Sequence, residues 1–175
     1  MLRKIFNYDN LEESSVVGNI DNNIYKNIIS ACGCLFIRVH NKKLQLLLIS
    51  YKDPNWPRYD DFGGRIDVVD HTLNGAICRE VSEETNDVIT RKQIKKILKD
   101  DNNIFYNRQS KYYCVVHQID NFKYNDSTVF GDFEKTDKIY RTINWFDYNK
   151  VKSKLSFRLL NNKKLIEYLD LIDSD

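Results

Sequence analysis

The chain has 175 residues, of which 42% are hydrophobic and 30% charged, and its formal net charge is +2. A chain of this size forms one domain and buries roughly 70% of its unfolded surface, which excludes a disordered or fibrous protein. Two prolines, no Gly/Ser run and no fixed-period repeat exclude a long flexible linker and a solenoid.

Residues 1–27 are polar and read as an N-terminal extension to a domain spanning 28–175. Met1–Asn10 has no apolar core, so no secretory peptide is expected. The densest apolar run, Leu44–Ile49, is far short of the ~20 residues of a membrane span, so no membrane partner is expected. Ile28–His40 and Leu44–Tyr51 are apolar and β-prone around an Asn41-Lys42-Lys43 turn, which predicts a hairpin. A loop over Lys52–Asp61 holds both prolines and Trp56, and Gly63-Gly64 closes it. From Thr72 to Thr85 the period becomes helical, with Leu73, Ile77 and Val81 four apart, Thr72 as N-cap and Asn86 as the closing residue. A short helix over Thr90–Leu98 follows, then strands near Asn103–Tyr106 and Tyr112–Ile119. Next come a polar loop, Asp120–Asp137, and a strand over Lys138–Phe146. Helices are expected around Tyr148–Leu155 and Leu160–Leu171. This order predicts an α/β (α+β) fold with a mixed sheet.

Cys32, Cys34, Cys78 and Cys114 have no metal-ligand or redox spacing and read as buried, reduced thiols of a cytoplasmic protein. His40, His71 and His117 are too scattered to suggest zinc. The chemistry concentrates in Arg79-Glu80-Val81-Ser82-Glu83-Glu84. On a helix, Glu80, Glu83 and Glu84 share one face, where a hard divalent cation such as Mg²⁺ would offset their repulsion. A solvated acidic face paired to Arg79 is the other reading of the same residues. Gly63-Gly64 favours the cation, because glycine lets backbone approach a metal or phosphate closely.

Gly64-x5-Asp70-x8-Arg79-Glu80-Val81-x-Glu83-Glu84-x-Asn86 resembles the Nudix box, G-x5-E-x7-R-E-U-x-E-E-x-G-U. The hairpin before it and Asn144-Trp145-Phe146 after it also resemble that family. Asp70 stands for Glu, one residue is added before Arg79, Asn86 replaces Gly, and Phe62 replaces the Pro before the glycines.

The resemblance implies a Nudix-like α/β/α sandwich and Mg²⁺- or Mn²⁺-dependent hydrolysis of a diphosphate linkage. It implies Gly64, Glu80, Glu83 and Glu84 as metal ligands and Arg79 as their organiser. The proton acceptor would be Glu83, Glu84 or, from a later loop, Glu134. The chain is rich in Asn, Lys, Ile and Tyr, and so in A/T-rich codons. With Asn86, this resembles Nudix proteins of large DNA viruses, a group that includes mRNA-decapping enzymes. Capped RNA, cleaved to 7-methyl-GDP in the host cytoplasm, is therefore one expected substrate. Diphosphoinositol polyphosphates, nucleotide sugars, dinucleoside polyphosphates and NTPs are alternatives, and a non-catalytic RNA- or nucleotide-binding module is another.

Expected substrate contacts are Trp56 and Tyr59 for a base, with Arg65, Lys95 and Lys96 for phosphates. The stretch Thr90–Cys114 is basic and interleaved with Tyr106, Tyr112 and Tyr113, which would suit an RNA strand. A solvated helix face in a lysine-rich chain is the competing account.

Overall fold

The computed structural model describes residues 28–52, 59–100, 102–119 and 124–174. The extension over 1–27 and Trp56 lie outside the described residues.

The predicted hairpin forms as β1 (Ala31–His40) and β2 (Lys43–Tyr51), with Phe36 opposite Leu47. Asn41 and Lys42 take φ of 51° and 60°, the left-handed pair that suits a two-residue hairpin turn. β1 is buried on both faces. Cys32, Cys34 and Phe36 enter one core, and Leu35 and Ile37 enter the other. That accounts for an unbroken apolar run where a one-sided strand would alternate.

Gly63-Gly64, read from the sequence as closing the loop, lie within a strand, β3 (Phe62–Arg65). It pairs antiparallel with the first half of β1, Gly63 opposite Gly33 and Gly64 opposite Cys32. A Cβ on Gly63 would meet Cys32 O and would lie 2.5 Å from Gly33 Cα. This close approach leaves room for the Tyr112 hydroxyl, which donates to Asp61 Oδ2 at 2.7 Å.

α1 (Leu73–Glu84) starts as predicted, with the Thr72 side chain accepting from the Gly75 N–H at 2.9 Å. Asn86 and Asp87 close it at φ 52° and 64°. α2 (Arg91–Ile97) carries a capping box between Thr90 and Gln93. β4 (Asn103–Asn107) and β5 (Tyr112–Gln118) follow. The predicted polar loop contains a 3-10 turn at Ser127–Phe130 and a two-residue strand, β6 (Phe133–Glu134), before β7 (Ile139–Asp147). The C-terminal helices are more broken than expected: α3 (Tyr148–Val151), a 3-10 turn (Lys152–Lys154), α4 (Phe157–Leu160) and α5 (Lys163–Ser174). The break before α5 falls at Asn162, whose Oδ1 accepts from the Leu165 N–H at 3.2 Å and so ends one helix by capping the next.

The strand order is β4-β5-β1-β2-β7-β6, with β3 end to end with β2 along β1. β1 and β5 are parallel and the other pairs antiparallel, so the sheet is mixed. One face packs Phe36, Leu47 and Ile143 against Leu73, Ile77 and Val81 of α1 and Ile94 of α2. The other packs Leu35, Leu46 and Leu48 against Tyr148, Leu159, Leu165 and Leu169. Each such side chain contributes about 1.5–3 kcal/mol when fully buried. The result is the expected α/β/α sandwich. All four cysteines are buried and none is in a disulfide. Among the described residues no helix is long and apolar enough to cross a membrane.

Candidate active site

A cavity of about 1080 Å³ opens where β3, α1, β6 and β7 meet. Asp60, Glu80, Glu84 and Arg158 make much of its lining polar, and β3 brings Gly64 against α1. A Cβ on Gly64 would sit 2.5 Å from Glu80 Oε2, so backbone and carboxylate touch here because residue 64 has no side chain.

Arg79 organises the acids. Its Nε donates to Asp70 Oδ1 at 3.0 Å, and its Nη2 meets Asp70 Oδ2 at 2.7 Å and Glu80 Oε1 at 2.8 Å. Nη1 donates to Glu83 Oε2 at 3.1 Å, and Nη2 also donates to the Arg65 carbonyl at 2.9 Å. Asp70 accepts a further bond from the Asp67 N–H at 2.8 Å. The hydrogen bonds that Arg79 donates to Asp70 push its guanidinium pKa up, against burial and with the attraction of Glu80 adding to the rise. Burial pushes Asp70 up, but the Arg79 and Asp67 bonds outweigh it and hold the carboxyl below its ordinary value.

Glu84 lies deeper. Its Oε2 is buried with no hydrogen-bond partner. Burial pushes its carboxyl well above the ordinary range; Arg158 opposes this and Asp60, Glu80 and Asp61 add to it. Glu80 is also raised by burial, against the pull of Arg79. Beneath them, Arg158 of α4 pairs with Asp60 Oδ1 at 2.9 Å and Asp61 Oδ1 at 3.0 Å, and it stacks on the Tyr112 ring with its guanidinium carbon 4.5 Å from the centroid.

Glu134 is buried at the cavity edge. Its two oxygens accept from the Thr136 and Asp137 N–H groups, each at 2.7 Å. Arg141, fully buried in β7, donates to the carbonyls of Glu84 at 2.6 Å, Gly131 at 2.9 Å and Phe130 at 3.2 Å. It thereby ties the end of α1 to the segment carrying Glu134.

The structure thus gathers Gly64, Arg65, Arg79, Glu80, Glu83, Glu84 and Glu134 around one cavity. It does not gather the other substrate candidates. Tyr59 forms a bridge with Leu155 and packs its ring on Phe146, 4.8 Å between centroids, in the second core. Lys95 and Lys96 are exposed on α2, which turns Ile94 and Leu98 inward, and neither lines the cavity. Tyr112 and Tyr113 are buried, so their rings are not open to a base, while Tyr106 is half-buried and its hydroxyl donates to the Ile28 carbonyl at 2.5 Å.

Sequence reasoning missed Asp60, Asp61, Arg141 and Arg158. Asp60-Asp61 stand just before the glycines and carried a local signal. The two arginines carried none: β7 pairs with β2 to place Arg141 opposite Tyr51, and Ser156, just before Arg158, donates to Asp60 at 2.7 Å.

Among the described residues, no three His, Cys, Asp or Glu side chains already stand at metal-coordinating spacing. The donor set nevertheless fits a hard cation. The cavity is lined by seven carboxylates against four arginines, and a buried carboxylate oxygen is left without a partner. A diphosphate entering so acidic a cavity needs a cation to offset the repulsion.

No protein-family model and no curated protein sequence matches the chain. Solved structures do. An Ap4A hydrolase from C. elegans, in a binary complex, is 18% identical with a TM-score of 0.44, over 83% of this chain and 93% of that one. The NUDIX domain of Shewanella oneidensis NrtR, complexed with ADP ribose, is 15% identical with a TM-score of 0.49, over 87% and 93%. A bifunctional NMN adenylyltransferase/ADP ribose pyrophosphatase from Francisella tularensis, complexed with AMP and a Mn ion, is 15% identical with a TM-score of 0.50. That match covers 86% of this chain and 46% of the other, and it shows a shared fold.

Proposed function

We propose that this chain is a Nudix-type pyrophosphohydrolase that cleaves the diphosphate linkage of a nucleoside diphosphate derivative, using Mg²⁺ or Mn²⁺. The observation that carries the reading is Glu84 Oε2, a buried carboxylate oxygen without a partner in an acidic cavity. Leaving such a group unsatisfied costs about 1–3 kcal/mol or more for a charged one, which a bound cation recovers. Glu80, Glu83, Glu84 and the Gly64 carbonyl would hold the ion. When bound, it would neutralise diphosphate charge and make water more acidic.

The chain's own residues supply the rest. Arg79 keeps Glu80 and Glu83 apart from free rotation through its bonds to both. Glu134 takes the proton of the attacking water. Each of its oxygens accepts one backbone bond and keeps a second lone pair. Tyr51, Ile66, Val68 and Val69 give the cavity an apolar wall on which a nucleoside can lie. The AMP and Mn ion of the Francisella protein accord with this class of ligand.

Release of 7-methyl-GDP from capped RNA is the finer form of the proposal. Of the residues assigned to it, Tyr59, Lys95 and Lys96 stand away from the cavity, so the cavity favours the diphosphate linkage itself over an extended RNA. The test is a panel of ADP-ribose, dinucleoside polyphosphates, nucleotide sugars, NTPs, diphosphoinositols and cap-labelled RNA with Mg²⁺ or Mn²⁺. Turnover of a small nucleotide supports the reading, turnover of capped RNA alone selects decapping, and binding without turnover supports a non-catalytic module.

A further inference from the structure

We infer that Asn86 is a positioning residue that holds Glu134 in the cavity; the inference rests on the reading of Glu134 as proton acceptor. At this point the motif has glycine, and φ of 52° explains glycine without explaining asparagine. The side chain accounts for the difference. Asn86 Nδ2 donates to the Phe133 carbonyl at 2.9 Å, and Asn86 Oδ1 accepts from the Lys135 N–H at 3.2 Å. These backbone groups flank Glu134 on either side. One amide therefore pairs with the chain before and after Glu134, as a residue of a neighbouring strand would. Nδ2 also donates to the Phe130 carbonyl at 2.9 Å, the same oxygen that Arg141 meets.

The connection is short and continuous. Asn86 stands two residues beyond Glu84, at the end of the helix carrying the acidic face. It grips residues 133 and 135, and the turn that follows fixes both Glu134 oxygens through Thr136 and Asp137. On the other side Glu134 pairs with Ile139 of β7. Arg141 ties the helix end to residues 130 and 131, ahead of Glu134, whereas Asn86 grips the residues on either side of Glu134, so the local placement of Glu134 against the helix end depends on the Asn86 amide. A glycine there would keep the backbone and lose all three bonds.

The test compares wild type, Asn86→Gly, Glu134→Gln and the double variant on the best nucleotide substrate, with melting temperatures. Glycine adopts this φ freely, so Asn86→Gly should melt within about 5 °C of wild type. Its kcat should fall about ten- to a hundredfold while KM stays within about threefold, the cost of misplacing a reacting group. The double variant should be no slower than Glu134→Gln alone, because Asn86 acts through Glu134. Asn86→Asp keeps the acceptor and the left-handed preference but loses both donated bonds, and it is run alongside so that a glycine variant that fails to fold still leaves a comparison. A kcat within about twofold of wild type in the folded variants, multiplicative losses in the double variant, or a fully active Glu134→Gln would overturn the inference. Wild type inactive on every diphosphate would instead overturn the functional reading beneath it.

Discussion

Gly64 and Glu80 are in direct contact: a Cβ built on Gly64 lies 2.5 Å from Glu80 Oε2 and 2.8 Å from its Cδ. The strand β3 thereby sets the position of a carboxylate on α1. The obstacle is the flexible end of a side chain, so Gly64→Ala should fold and displace Glu80. Activity should drop at least about tenfold with little change in melting temperature. Gly63→Ala should do the reverse. Its Cβ meets backbone at Cys32 and Gly33, which cannot give way, so a loss of about 1–3 kcal/mol or more is expected in urea denaturation.

Metal binding should be visible without turnover. A divalent cation that binds only the folded state stabilises it by about 2.7 kcal/mol at a hundred times its Kd. Mg²⁺ or Mn²⁺ should therefore raise the melting temperature, and chelator should reverse the shift. Glu84→Gln should abolish the shift and lower turnover by about two orders of magnitude. An unchanged shift in that variant would remove Glu84 from the ligand set.

The lysines of α2 face solvent. Charge reversal at Lys95 and Lys96 should leave kcat/KM for a small nucleotide within about twofold at moderate salt. A larger loss, measured with the same substrate, would bring α2 into the binding surface.

Asp60 should give a pH dependence whose sign follows from its burial. Burial pushes its carboxyl up to about 7, against the attraction of Arg158 and the Ser156 hydrogen bond and with the repulsion of Asp61; it also faces Glu84, Tyr51 and Tyr112. Its folded pKa is above its unfolded value, so between about pH 4 and 7 the native state holds a proton that the unfolded chain has lost. Stability should therefore fall as pH rises through that window, by at most about 1.4 kcal/mol per pH unit from this one group. Asp60→Asn should flatten the slope relative to wild type in urea titrations, and an equal slope would refute the assignment.

What the sequence revealed was local. Thr72, the four-residue spacing of Leu73, Ile77 and Val81, and the Asn86 close lie within one helix, and the structure places each as its chemistry dictates. Arg79 reaches Asp70 and Glu83 because all three sit within a helix and the loop leading into it. Residues whose surroundings come from distant chain read less well. Tyr59 looked like a cavity residue by proximity to the glycines, but the bridge to Leu155 carries it to the opposite face. Arg158 reaches the cavity only because α4 packs where β3 begins, which no short-range pattern encodes. Asn86 was legible as a backbone choice and not as a clamp, since its partners lie in a segment that looked like plain polar loop.

The central claim is metal-dependent cleavage of a diphosphate bond, and product analysis in heavy-oxygen water tests it most directly. Mass spectrometry of the reaction with ADP-ribose or another active nucleotide and Mg²⁺ or Mn²⁺ should find two phosphate-terminated products. One of them should carry a single heavy oxygen, and Glu84→Gln or chelator should suppress both. No cleavage of any diphosphate substrate with either metal, or undiminished cleavage in chelator, would contradict the account.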